Sequence, residues 1–396
     1  MSRAPMTTSA SSRPRRAITL LTALVFAALI SLPIADALFH VAPAVNIMEP
    51  SDKREAQAET GLAGVLDRFN ALRYGHLDRT FGFRNLLVKW HNYLVYCLLG
   101  ASSSEMSVLA GPDGWLFLAK ESRRLNAIED FRGTRLYSPQ ELAAWTAEFT
   151  ARRDWLKSQG MAYLVVMAPN KQSIYPEKLP PGYNQVGPTR TDQLVDAIRQ
   201  AGVEVLDLRP ALLDRKTTDQ VYYLTDSHWT PAGVETAYAE ILAAVNRLVP
   251  LGAEAAPLAL SNTPARDGGG DLGHMLGLCG DCFPERQVIS APQGGSRAVP
   301  ADAQRYANPT DIMPVAAFER PGSGLPRALF LRDSFFQSMM PLLSEHFSRV
   351  AYVWPTPSSH KGFRRFDREM ILAERPDVVV EEIAERYFIV PPPDRP

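Results

Sequence analysis

Two short stretches hold side chains from which a hydroxyl nucleophile can be built: Asp226-Ser227-His228-Trp229 in the polar loop LTDSHWTPAG, and Arg332-Asp333-Ser334-Phe335 after the apolar run ALFL. A serine hydroxyl attacks a carbonyl well only when a base removes its proton, and imidazole is that base when a carboxylate fixes its tautomer. In an extended segment, side chains at i and i+2 share a face. Asp226 is therefore expected to accept Nδ1–H of His228 and leave Nε2 for a serine. None of the other six histidines follows a carboxylate by two positions. Ser334 sits between an apolar run and the helical pattern FFQSMMPLLSEHF. That predicts a strand-to-helix turn at the carboxyl edge of a sheet, where its own N–H and the helix N-terminus face a developing oxyanion. Asp-Ser before an apolar helix equally suits a simple N-cap.

The elements needed to position these groups follow from periodicity. Residues 51–105 are patterned as helix with a break at Phe81-Gly82-Phe83-Arg84, and Asp113-Gly114 predicts a turn before a short strand. Helices are expected over 139–159, 190–201, 231–248, 335–347 and 367–374, the third with Thr230 as N-cap and Pro231 at its first position. Apolar runs at 162–167 (AYLVVM), 203–208, 328–331, 350–353 and 376–381 (PDVVVE) are expected as strands. Buried strands alternating with helices imply an α/β fold with a mainly parallel sheet covered on both faces. Residues 250–325, dense in Gly, Pro and Asp, form an irregular excursion from that core.

At the N-terminus, Arg13, Arg15 and Arg16 precede the run AITLLTALVFAALISLPIADALF, interrupted only at Asp36. It has the ~20 apolar residues that a bilayer crossing takes, and the basic cluster predicts export of the chain beyond residue 40. Ala35-Asp36-Ala37 has the form of a signal-peptidase site, but the run is longer than the ~7–15 residues of a secretory apolar core, which favours a retained anchor. The expected organisation is a cytoplasmic basic segment (1–16), a transmembrane signal-anchor (17–38), a helical extension (39–110) and a catalytic domain (111–390). A net charge of −1 without a basic stripe argues against a nucleic-acid partner. Cys279 and Cys282, spaced C-x-x-C in a Gly-rich stretch, are expected to close a small disulfide loop in an exported protein. A zinc site would need two more ligands where only His274 is near, so no metal or cofactor is expected.

The strings TDSHWTPAG, GGDLGHMLG, LRDSFFQSMMPLLSEHF, APNKQSIYPEKLP and GPDGWLFL together resemble the AlgJ/AlgX-type SGNH hydrolase-like polysaccharide O-acetyltransferases, related to the DHHW proteins, over about 60–389. The resemblance implies a flavodoxin-like SGNH core with Asp and His preceding the serine, and with Ser334 as nucleophile, His228 as base and Asp226 as its orienting partner. It further implies acetyl transfer to an exopolysaccharide, alginate-like or cellulose-like, in the bacterial periplasm, beside a membrane-bound O-acyltransferase in the inner membrane. Arg332 stands where the family usually has Gly.

Other positions are weaker candidates for substrate contact. Asn170 and Lys171 follow AYLVVMAP at the expected sheet edge and either line the cleft or form an exposed loop pair. Tyr175 and Trp229 are of the type that stacks on sugars or packs internally. Asp333 and Arg332 flank the nucleophile, and Asp333 either orients its turn or complements the helix dipole. The same cleft would serve an acetylesterase if water were the acceptor, and a non-catalytic polysaccharide-binding component would need no complete Asp/His/Ser set.

Overall fold

Apolar runs rich in Val, Leu and Ile become buried strands because β-branched and large side chains fit a pleated surface covered on both sides. The computed structural model describes residues 13–39, 42, 83–99, 107–120, 125–267, 269–278, 283, 285–303, 313, 315–355 and 365–389. In chain order its strands are β1 (Val108–Ala110), β2 (Leu116–Leu118), β3 (Ala162–Ala168), β4 (Val205–Asp207), β5 (Leu260–Asp267), β6 (Arg286–Pro292), β7 (Val299–Ala301), β8 (Ala316–Glu319), β9 (Arg327–Leu331), β10 (Arg349–Val353) and β11 (Val378–Ala384). Seven of them form one sheet in the order β4-β3-β11-β9-β10-β8-β7. From β4 to β10 every pairing is parallel, and β8 and β7 add an antiparallel edge. The sheet is therefore mixed. Its parallel part matches expectation, and the edge comes from the stretch expected to be irregular.

Side chains alternate between the two faces as the strand period requires. Leu164, Val166, Phe330 and Val380 pack with Val234, Ile241 and Leu242 of helix Pro231–Leu248. Tyr163, Val165, Leu329 and Val379 pack with Phe149 and Leu156 of helix Pro139–Ser158 and Leu194 and Ile198 of helix Arg190–Gln200. Fully burying one such side chain contributes roughly 1.5–3 kcal/mol. Helix starts are marked chemically. Ser138 and Glu141 form a capping box, Ser138 N–H donating to the Glu141 carboxylate at 2.8 Å and Glu141 N–H to Ser138 Oγ at 3.2 Å.

Two expectations fail for identifiable reasons. The 335–347 helix is broken into a 3-10 turn Ser334–Phe336, a short helix Met340–Leu343 and a second turn Ser344–His346. Pro341, lacking an N–H, cannot continue a helix through its position and sits instead in a first turn. The 250–325 excursion is also more ordered than its composition suggests. It supplies the antiparallel ribbon β5-β6 and edge strands β7 and β8.

The N-terminal run forms helix Arg13–Phe39, with Leu20, Leu24, Phe26 and Leu29 exposed. Among the described residues, no helix is long and apolar enough to cross a membrane. The expected helix is present; a crossing is not observed. Cys279 and Cys282 lie outside the described residues, as does the side chain of Cys97. The sheet and the loops at its carboxyl edge belong to the unit made chiefly of Asn92–Pro396.

Candidate active site

The loop 224–228 is bent rather than extended, and the Asp226 carboxylate curls forward onto the residue two positions on. Asp226 Oδ1 accepts His228 N–H at 2.9 Å and lies 2.6 Å from His228 Nδ1. The same atom thus fixes both the backbone and the ring. Asp226 Oδ2 accepts Asp271 N–H at 3.0 Å and the side-chain amide of Gln287 from β6. Asp226 is 5% exposed, and burial opposes its ionisation. Attraction to His228 and the hydrogen bonds outweigh that cost and hold its carboxyl well below the usual carboxylate range. Burial likewise works against His228⁺, but Asp226, and more weakly Asp271, raise the imidazole above its ordinary value against the opposing Arg386. His228 Nε2 is buried with no hydrogen-bond partner among the described residues.

The loop is held from below and from the side. Lys171 is buried, and its Nζ donates to the carbonyls of Leu116 (2.5 Å), Leu224 (2.7 Å) and Asp226 (3.1 Å) beneath the rings of Trp115 and Phe117. Burial pushes its pKa down to about 7 against the attraction of Glu285, Asp271 and Asp226. Glu285 accepts the N–H of Leu224 at 2.5 Å, the N–H of Thr225 at 2.8 Å and the Thr225 hydroxyl at 2.6 Å. Gly270 approaches so closely that an added Cβ would lie 2.3 Å from Asp226 Cβ. Asp271 accepts Ser227 N–H at 2.7 Å and Ser227 O–H at 2.5 Å, and its Oδ2 is 3.8 Å from His228 Nδ1.

Ser334 opens the 3-10 turn directly after β9, at the carboxyl end of the parallel strands. It is not the cap of that turn. Asp333 is, its Oδ1 accepting Phe335 N–H at 3.0 Å and its Oδ2 Ala384 N–H at 2.8 Å, while Asp333 N–H donates to Glu382 at 2.7 Å. Asp333 therefore orients the Ser334 turn through the backbone. Phe335 ties the turn to the Asp/His loop. Its ring lies 5.0 Å from the His228 ring, and its carbonyl accepts Trp229 Nε1–H at 3.1 Å.

The remaining candidates are mostly internal. Trp229 and Tyr175 are buried, Tyr175 packing on Trp115 at 4.3 Å and accepting Val221 N–H at 2.9 Å, so neither presents a ring to solvent. Arg332 is buried over Trp354 at 5.2 Å and donates to Asp333 O at 3.3 Å, which is how an arginine is accommodated there. Burial lowers its pKa against the pull of Glu382 and Asp333. Asn170 follows β3, its N–H bound to Glu385 at 2.8 Å and its Oδ1 3.5 Å from Arg386 Nη1. Arg386 in turn lies 5.2 Å from the Phe335 ring.

Asp271, Gln287, Glu285, Gly270 and Arg386 were not legible as site residues. Only the string GGDLGHMLG marked any of them, and it pointed to no particular contact. Asp226, His228 and Asp271 bring one possible ligand atom each within 4.8 Å of one another. Their carboxylate oxygens already accept amide and hydroxyl donors, which a cation would have to displace.

A doubly wound parallel core, with an Asp/His loop and a serine turn at its carboxyl edge, defines the class as an SGNH hydrolase-like α/β protein. Residues 108–303 match the family model of the SGNH hydrolase-like domain of acetyltransferase AlgX, and over that span the chain is similar to it. The match includes Asp226, His228 and Asp271 and ends before β9. A probable alginate O-acetylase AlgJ of Pseudomonas syringae is 31% identical over 150 residues, 37% of this chain and 35% of that protein. The chain thus spans about a third of the length of that relative, as the 35% coverage states. A second protein of the same description, from Azotobacter vinelandii, is 25% identical over 305 residues, covering 68% of this chain and 74% of its own length. Bacillus cereus PatB1 has the same fold at 18% identity and a TM-score of 0.50, covering 71% of this chain and 96% of that one.

Proposed function

We propose that this protein is an O-acetyltransferase that moves acetyl groups onto hydroxyls of an exopolysaccharide through an acetyl-Ser334 intermediate. The observation that carries the reading is the state of His228. Its Nδ1 is 2.6 Å from Asp226, while its Nε2 is buried without a partner among the described residues, on a ring packed against Phe335, next to Ser334. An imidazole so held is a general base in want of a proton.

In the proposed reaction, His228 Nε2 takes the Ser334 Oγ proton as Oγ bonds to the acetyl carbonyl carbon. The leaving group departs with that proton. A sugar hydroxyl then gives its proton to Nε2 and attacks the acetyl carbon, and the Oγ–C bond breaks as Nε2 passes that proton to Oγ, which regenerates Ser334 and the neutral imidazole. The Ser334 amide and the Asn170 side-chain amide are the proposed oxyanion donors; Arg386, near Asn170 Oδ1, favours an orientation that turns Nδ2 away from it. The names of the AlgJ relatives support alginate or a similar polyuronate as acceptor. Arg13, Arg15 and Arg16 at the start of helix Arg13–Phe39, followed by its exposed apolar side chains, support attachment of the N-terminus to the inner membrane with the domain in the periplasm. The acetyl donor would then be delivered by a membrane-bound O-acyltransferase.

Intact-mass analysis of the full-length chain with p-nitrophenyl acetate tests the proposal. Wild type is expected to gain one acetyl group that discharges faster onto oligouronate than onto water, and Ser334→Ala to gain none. Discharge indifferent to sugar would make the protein an esterase, and equal labelling of Ser334→Ala would remove Ser334 as nucleophile.

A further inference from the structure

Two carboxylates, not one, stand on the Nδ1 side of His228. Asp226 is in contact at 2.6 Å, and Asp271 Oδ2 is 3.8 Å away. Between Asp271 and the ring lies the Ser227 hydroxyl, 2.5 Å from Asp271 Oδ2 and 3.5 Å from His228 Nδ1. A hydroxyl rotates about one bond, so it gives up Oδ2 without backbone movement. The two acids are also cross-linked, because Asp271 N–H donates to Asp226 Oδ2 at 3.0 Å. Any shift of one carboxylate is thereby felt at the other.

We infer that Asp271 is a positioning residue that acts as a second carboxylate acceptor for the His228 imidazolium. It holds the Ser227 backbone and hydroxyl while the ring is neutral, and it shares the Nδ1–H when the ring is charged or when the Asp226 carboxylate is lost. This rests on the reading of His228 as the general base. The charged groups facing the ring are Asp226 from its own loop, Asp271 from the glycine-rich segment and Arg386 from the segment after β11, and Lys171, itself attracted by Glu285, faces both acids from beneath. Of these only Asp226 and Asp271 favour the protonated ring, with Arg386 opposing them. Burial and mutual repulsion raise the Asp271 carboxyl while His228 opposes the rise, as expected for two acids competing over one cation.

Histidine-selective NMR titration of the full-length chain decides the matter, with His228 assigned from His228→Gln. Asp271→Asn keeps the shape and removes the charge. It is expected to lower the His228 pKa by about one unit, and the acid limb of acetyl-enzyme formation from p-nitrophenyl acetate should move with it. Ser227→Ala, which removes the hydroxyl competing for Oδ2, is expected to raise it. Asp226→Asn should retain about tenfold more acetylation than the Asp226→Asn/Asp271→Asn double variant, since non-additivity marks a shared role. An unmoved titration in both Asp271→Asn and Ser227→Ala, with only thermal stability reduced, would overturn the inference and leave Asp271 a loop anchor. If the titration shifts as expected but wild type forms no acetyl-Ser334, the carboxylate pair stands and acetyl transfer fails.

Discussion

Adding one methyl group at Gly270 should cripple the site without unfolding the protein. An ideal Cβ there would lie 2.3 Å from Asp226 Cβ, 2.5 Å from its Oδ2 and 2.6 Å from its Cα. Carbon atoms in contact sit about 3.5–4 Å apart, so the acid must retreat by roughly 1.2 Å or the 270–271 segment must move as far. Gly270 has φ −90°, which any residue adopts, and its N–H bond to Thr225 Oγ1 survives in alanine. The cost is therefore steric, about 1–3 kcal/mol of overpacking. A retreat of that size stretches the 2.6 Å contact with His228 Nδ1 beyond hydrogen-bond length. Misplacement by about 1 Å at a reacting constellation costs on the order of 10²-fold in rate. Gly270→Ala should thus form acetyl-enzyme about 100-fold more slowly while remaining folded. Gly187→Ala, whose new Cβ would meet nothing nearer than 3.9 Å, is the matched control. Burst kinetics with p-nitrophenyl acetate and a thermal melt read both quantities. Full activity in Gly270→Ala would refute the view that Asp226 must be held where it is.

Asp130 is buried with neither carboxylate oxygen partnered among the described residues, and burial, reinforced by Glu385, raises its pKa to about 7 despite Arg190. A pKa raised in the folded state contributes stability that is present below the unfolded value near 3.8 and is lost as pH rises through about 7. Asp130→Asn should therefore be more stable than wild type at pH ~8 by a few kcal/mol and show little gain at pH ~4, read by melting temperature across pH. Glu345, 1% exposed, accepts Ser296 O–H at 2.5 Å, the N–H groups of Arg297 and Ala298 at 2.9 Å each, and Arg297 Nε–H at 3.1 Å. Glu345→Ala strands those donors and should cost about 3 kcal/mol in urea unfolding while leaving the initial rate of acetyl-enzyme formation in the native state within about twofold.

The core was legible because its code is local. Strings such as AYLVVM and PDVVVE are buried on both faces and read as continuous apolar runs, and Thr230-Pro231 announces a helix in its first turn. The Asp226/His228 pairing was legible for the same reason, since the partners are two residues apart, although the loop achieves it by bending where an extended segment was expected. What supports the pair was not legible. Gly270, Asp271 and Gln287 reach Asp226 across 44 to 61 residues, from a stretch whose Gly, Pro and Asp content signals turns and carries no period. The 335–347 helix failed because an apolar period outweighed Pro341 in the reading, whereas in the chain the missing N–H prevailed. Tyr175 and Trp229 illustrate a third case: an aromatic ring carries no sign of which way it faces, and these two face the core.

Lys171 fastens the carbonyls of Leu116, Leu224 and Asp226 with one ammonium group. Those carbonyls lie 53 and 55 residues from Lys171 along the chain, on either side of it. No fragment containing only the loop, or only the strand before Lys171, can shape the Asp226 backbone. Competence is then an all-or-none property of the assembled domain, so a nascent or partly unravelled chain is chemically silent. Catalytic activity, once measured, becomes a reporter of complete folding more demanding than helix content, since the helices can form while this fastening is still open.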